Sequence, residues 1–201
     1  YKSMKYQEDI EKDINFFLNL TILKGSSTSW CILNLLLMNN IKNYDENYIA
    51  FFNKFGVLIQ LIDDICDLKS DLENNCNTYL TKIYRSGGDI EKNINKTINF
   101  LDYLMDELNN INILPDKFDK EESIVALRFF FHFVIIYGVC KNKMYYSEEF
   151  LINIQNESPV NFEHINEGRS KKLPLMDKIY TYCYDYDLNE LNKSNNKIHT
   201  N

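Results

Sequence analysis

Three features of the sequence predict an all-α fold. Apolar residues recur with the 3.6-residue period of a helix along most of the chain. Glycine (6) and proline (3) are scarce among 201 residues, too few for the many tight turns of a β-sandwich or barrel. Hydrophobic residues make up 45% of the chain, enough for a sizeable core, which excludes wholesale disorder. The expected architecture is one all-α domain over residues 1–187, a bundle of antiparallel helices around a central cavity. A disordered Asn/Lys-rich tail is expected at 188–201. The chain opens at Tyr1 rather than Met, which admits a longer chain of which these residues are the C-terminal part.

The elements follow in order. Ile10, Ile14, Phe17, Leu18 and Ile22 give residues 4–23 a helical period. Gly25-Ser26-Ser27 is expected to interrupt that helix, with Thr28 or Ser29 capping the next. Residues 30–39 are nearly all apolar and read as a buried helix. After a polar connection at 41–46, residues 47–72 form the longest expected helix, carrying Phe51, Phe52, Phe55, Leu58, Ile59, Ile62 and Ile65. Asn74–Asn77 loosens the chain, and a short helix over 78–85 ends at Gly87-Gly88. Ile90, Ile94, Ile98, Leu101, Leu104, Met105 and Leu108 give a further helix over 89–110, and Pro115 breaks the chain. Residues 120–140 form a helix expected to be buried nearly all round. Residues 141–172 are polar without a clear period, and 174–186 is a last helical candidate.

The net charge of -7 disfavours a general nucleic-acid binder, which needs clustered Lys and Arg against phosphates. The five cysteines, Cys31, Cys66, Cys76, Cys140 and Cys183, form no C-x-x-C pair and are odd in number. A disulfide framework or structural zinc site is therefore not expected, and a reducing, cytoplasmic location is. No run of 18 apolar residues and no signal peptide is found, so no transmembrane segment is expected.

One segment carries chemistry. Asp63 and Asp67 are spaced i,i+4, Asp64 and Asp67 i,i+3, and Asp67 and Asp71 i,i+4, with Gln60 one turn earlier. On a helix these carboxylates share one side. Like charges at this spacing weaken a helix by roughly 0.2–0.5 kcal/mol per pair, and Asp is a poor helix former. The stretch follows the strongly apolar Phe55–Ile62, so its upper part lies inside the protein. A buried helix that accepts both penalties points to a bound cation rather than to a solvated acidic face. Oxygen-only donors favour Mg²⁺, Mn²⁺ or Ca²⁺ over zinc or copper, and Mg²⁺ completes its shell with water and substrate phosphates.

The same stretch, with Gly56, Gln60, Asp63, Asp64 and Asp67 in register, resembles the second aspartate-rich motif G-x-x-x-Q-x-x-D-D-x-x-D of trans-isoprenyl diphosphate synthases. Upstream, Lys24 is similar in place to the lysine of that family's Lys-Thr segment, with Gly25 where the threonine would be. The late helices over 107–135 resemble those of the family too. The resemblance spans roughly residues 10–137. It implies the all-α class I isoprenoid synthase fold and Mg²⁺-assisted departure of diphosphate from an allylic prenyl diphosphate. Isopentenyl diphosphate then attacks the cation and extends the chain. Asp63, Asp64 and Asp67 would be catalytic, and these three with Asp71 would bind the metal. Lys24, Gln60, Lys82 and Arg85 would contact the substrate, and a homodimer is a possible assembly.

The first DDxxD motif of that family lies on a facing helix well upstream, and none occurs in the 62 residues before Asp63. Two alternatives accompany this reading. Asp63-Asp64-x-x-Asp67-x-x-x-Asp71 also resembles the (N/D)D-x-x-(S/T)-x-x-x-E motif of class I terpene synthases, which cyclise a prenyl diphosphate. A non-catalytic helical partner subunit is the other. Among further residues, His132 inside Phe-Phe-Phe-His-Phe reads as a core histidine with a local hydrogen bond, Cys66 as a small packing residue, and Lys69 as an ion-pair partner of Glu73. Arg169-Ser-Lys-Lys172 reads as a solvated basic loop.

Overall fold

Every described element is helical. The computed structural model describes residues 12–38, 46–111 and 119–157, all within one compact unit, Tyr1–Pro159. Among them are α1 (Ile14–Met38), α2 (Glu46–Glu73), α3 (Tyr79–Arg85), α4 (Ile90–Asn110), α5 (Lys120–Lys141), a 3-10 turn (Lys143–Tyr145) and α6 (Glu148–Glu157), and no strand. The all-α expectation holds, with α2, α3, α4 and α5 within a residue or two of their expected bounds.

The starts are set by caps. Asp13 accepts a hydrogen bond from Phe16 N (2.8 Å), Asp89 from Lys92 N (2.8 Å) and Asp119 from Glu122 N (3.0 Å), each satisfying an otherwise unpaired first-turn donor. Thr78 and Thr81 cap α3 reciprocally. α2 stops where Asn75 takes a left-handed conformation (φ 54°), and α3 where Gly87 does (φ 72°).

α1 departs from expectation. It runs unbroken through Gly25-Ser26-Ser27, so no new helix begins at Thr28 or Ser29. The hydroxyls that could have capped a second helix instead donate one turn back: Ser27 to Leu23 O (2.7 Å), Thr28 to Lys24 O (3.1 Å) and Ser29 to Gly25 O (3.1 Å). Gly25 is there for packing. A Cβ on it would stand 2.5 Å from the carbonyl oxygen of Gly56 on α2, so the two backbones touch. Ser29 Oγ spans the same contact to Phe52 O (2.5 Å).

α2 is the central helix, packed by α1, α3, α4 and α5. Its Leu58, Ile62, Ile65 and Leu68 are buried, as are Ile94, Leu101, Leu104 and Met105 of α4 and Ile135 and Val139 of α5, the helices that pack on it. Each such side chain contributes roughly 1.5–3 kcal/mol of transfer free energy. Gly138 lets α5 approach Ile65 and Cys66 closely. α5 is not buried all round, however. Val125, Phe129 and Phe130 are exposed, because its packing onto α2 and α4 uses only one side of a helix that is apolar on every side. By length and composition alone α5 is also apolar enough to cross a membrane. Trp30 and Cys31, at the head of a stretch expected to be buried, are exposed as well. The Pro115 break, the 174–186 helix, the Arg169–Lys172 loop and the 188–201 tail lie outside the described residues.

Candidate functional site

The carboxylates sit on the lower half of α2, and the helix turn divides them. Successive side chains differ by about 100° on a helix, so the adjacent pair faces different surroundings. Asp63 is exposed and Asp64 is 5% exposed. Asp67 and Asp71, at i+4 and i+8 from Asp63, are half-buried, and the helix brings Asp71 round to within about 20° of Asp64. The four aspartates thus differ in exposure within one side of α2. Among the described residues no group of three or more His, Cys, Asp or Glu side chains lies close enough to hold a metal ion.

Gln60 joins the pair. Its Nε2 donates to Asp63 Oδ2 and to Asp64 Oδ1, both at 3.2 Å. The second oxygen of Asp64 has no hydrogen-bond partner. Burial pushes the Asp64 carboxyl up to about 7, against the Gln60 hydrogen bond and the Lys24 charge, which pull it down. Burial also raises Asp71, to about 6. The negative charges of Asp67 and Asp63 add to that rise, and Lys24 and Arg85 oppose it. Both shifts come first from burial, which disfavours the charged form. The carboxylate oxygens suit a hard cation such as Mg²⁺, which takes one or two carboxylates and fills its remaining positions with water or phosphate oxygen. In donor chemistry the residues fit such an ion, with a shell that needs ligands beyond the helix.

Lys24 comes to the aspartates without a helix break. From the middle of α1 it lines, with Asp64, Thr21, Asn77 and Thr78, a cavity of about 10 Å³. A second cavity of about 10 Å³ flanks Asp64 between Tyr79 and Asn93. Arg85 stands behind this region, its Nη1 donating to Asn77 Oδ1 (2.5 Å). Lys82 lies against the start of α1. Its Nζ lies 5.3 Å from the Phe17 ring centroid, and with Lys12 and Arg85 it lines a separate open cleft of about 470 Å³ at the start of α1.

Two residues that sequence reasoning passed over hold the carboxylate turn from α5. Lys141 Nζ pairs with Asp67 Oδ1 at 3.4 Å. Asn142, fully buried, donates through Nδ2 to Ile65 O (2.7 Å) and Cys66 O (3.2 Å) and accepts from Lys69 N (3.1 Å). Its amide thus occupies both ends of one α2 ladder step, between Asp64 and Asp67. The only local signal was an amide placed directly after an apolar helix. The remaining expectations divide. Lys69 pairs with Glu73 (3.7 Å), and Cys66 packs, with burial pushing its thiol up to about 11. His132 is half-buried rather than core, and its hydrogen bond is not local: Nε2 meets Asp102 Oδ1 on α4 (3.1 Å).

No family model, no curated protein and no solved structure matches this chain.

Proposed function

We propose that this chain is a Mg²⁺-dependent prenyl-diphosphate enzyme of the class I isoprenoid synthase kind, ionising an allylic diphosphate and extending it with isopentenyl diphosphate. The observation that carries the reading is the group of carboxylates on the central helix, where Gln60 hydrogen-bonds both Asp63 and Asp64 and Lys24 lines a cavity with Asp64. Asp63 and Asp67 would hold the metal, with Asp71 one turn further on. When bound, Mg²⁺ supplies positive charge to the departing diphosphate. Gln60 fixes the Asp63 carboxylate, and Lys24 offers a point charge to a diphosphate oxygen. A prenyl tail needs a cavity of roughly 300 Å³ or more, far larger than the two cavities against Asp64. In this reading the tail lies on the outward side of α2.

A specific observation also favours the cyclising alternative. Asp63, Asp67 and Asp71 have the i, i+4, i+8 spacing of the terpene synthase motif, and Asp64 of the DDxxD pattern is the buried one of the four.

The deciding experiment incubates the protein with C10, C15 and C20 allylic diphosphates and Mg²⁺, with and without isopentenyl diphosphate. Elongated diphosphates are expected for the first reading, and hydrocarbons or alcohols for the second. No turnover, and no thermal stabilisation by Mg²⁺ with diphosphate that an Asp63→Ala/Asp67→Ala double variant loses, leaves the non-catalytic partner reading.

A further inference from the structure

Asp63 and Asp64 are neighbours in sequence, yet their surroundings suit different work. Asp64 is 5% exposed; one oxygen is held by Gln60 and the other meets no partner. Asp64 lines the cavity it shares with Lys24, Thr21, Asn77 and Thr78, and also the second one between Tyr79 and Asn93. At about 10 Å³ the Lys24 cavity has room for about one water and no more. Mg²⁺ there would need near-octahedral oxygen coordination with several retained waters, which one water's space cannot supply. It would also stand beside the Lys24 ammonium, an unfavourable like-charge contact in a low-dielectric site.

We propose that Asp64 is a positioning residue rather than a metal ligand, holding the Lys24 ammonium through one water in this cavity so that Lys24 is aimed at an anionic ligand on the Asp63 side of α2. The diphosphate identity of that anion rests on the function proposed above; the Asp64–Lys24 link does not. A buried carboxylate with one oxygen unmet is costly, and a water donating to it and accepting from an ammonium satisfies both groups. Asp64 then fixes two side chains at once, Gln60 through Oδ1 and Lys24 through Oδ2, while Asp63 is left to the metal.

The test is a double-mutant cycle of Lys24→Met and Asp64→Asn, with Asp63→Asn beside it, read by calorimetric binding of Mg²⁺ with inorganic diphosphate and by urea unfolding midpoints. Each cycle variant is expected to weaken diphosphate binding about tenfold and the pair together also about tenfold, because residues acting as a unit are not additive. Asp63→Asn should abolish the Mg²⁺ dependence, and Asp64→Asn should retain it. A loss near a hundredfold in the pair, or loss of Mg²⁺ dependence in Asp64→Asn, overturns the proposal. If the wild type binds no Mg²⁺ and diphosphate, the proposed function falls and the urea cycle decides: a non-additive pair supports the link, an additive pair overturns it. If Asp64→Asn does not fold, a crystal structure of the wild type decides, by whether one water joins Lys24 Nζ to Asp64 Oδ2 or Lys24 points into solvent.

Discussion

Where α1 crosses α2, backbone meets backbone: Gly25 lies against Gly56, and Ser29 Oγ bridges to Phe52 O. Where α5 lies along α4, the polar contacts are made by the tips of long side chains. Arg128 reaches Asp106 (2.5 Å) and Asp102 (3.5 Å), and His132 reaches Asp102 (3.1 Å), all partly exposed. The first contact has no freedom to adjust, because a missing side chain is what permits it. The second can be lost and re-formed in water at little net cost. The Lys24 region sits just before the rigid crossing and the exposed ion pairs lie at the soft seam, so the candidate site borrows its geometry from the contact that cannot move.

The sharpest way to break this contrast is Gly56→Ala. The added methyl would run into Ser29 Oγ and the Gly25 carbonyl, so the helices must separate. A loss of about 3 kcal/mol is expected in urea unfolding. A loss under about 0.5 kcal/mol would mean the crossing is not close-packed in solution. Asn142→Ala comes next. It leaves the α2 ladder step at Ile65 and Lys69 short of its buried partners, for a loss of about 2 kcal/mol. A change within about 0.5 kcal/mol, the size usual for surface substitutions, would show that the amide does not brace the carboxylate turn.

A third measurement sharpens the electrostatics beside the crossing. The folded-state pKa of Asp64, about 7, lies above its ordinary 3.8, so protonation favours the fold. That contribution is fully present below about pH 4 and is lost as pH rises through about 7. Wild-type stability, without Mg²⁺, should therefore fall over this window. Asp64→Asn should flatten the fall, leaving the smaller part due to Asp71, whose carboxyl is raised to about 6. Parallel curves of stability against pH would place the slope elsewhere. The smallest effect belongs to the soft seam. Arg128→Ala should cost about 0.5 kcal/mol, shrinking in 1 M salt as exposed pairs are screened. A loss above about 2 kcal/mol, unmoved by salt, would make this seam as rigid as the crossing.

The sequence by itself determined the helices and the grouping of the carboxylates, because both follow from local rules. Apolar side chains at a 3.6 period define α2, α4 and α5, Asp89 and Asp119 ahead of the last two satisfy first-turn donors, and Asp63, Asp64, Asp67 and Asp71 must fall on one side of any helix that contains them. Only the tertiary structure decided the rest. Gly25-Ser26-Ser27 looked like a break until Gly56 was set against it: the glycine serves an approach between segments 31 residues apart, and the hydroxyls bond carbonyls within α1. The apolar surface of α5 gave no sign of which side would be covered, since a helix apolar all round has no preferred face until its neighbours choose one. Asp63 and Asp64 are chemically identical, and burial against α1 and α3 is what left one exposed and made the other a raised, half-satisfied carboxylate. Lys141 and Asn142 joined the site from more than 70 residues away. Such contacts depend on how the chain packs in three dimensions, and spacing along it does not encode them.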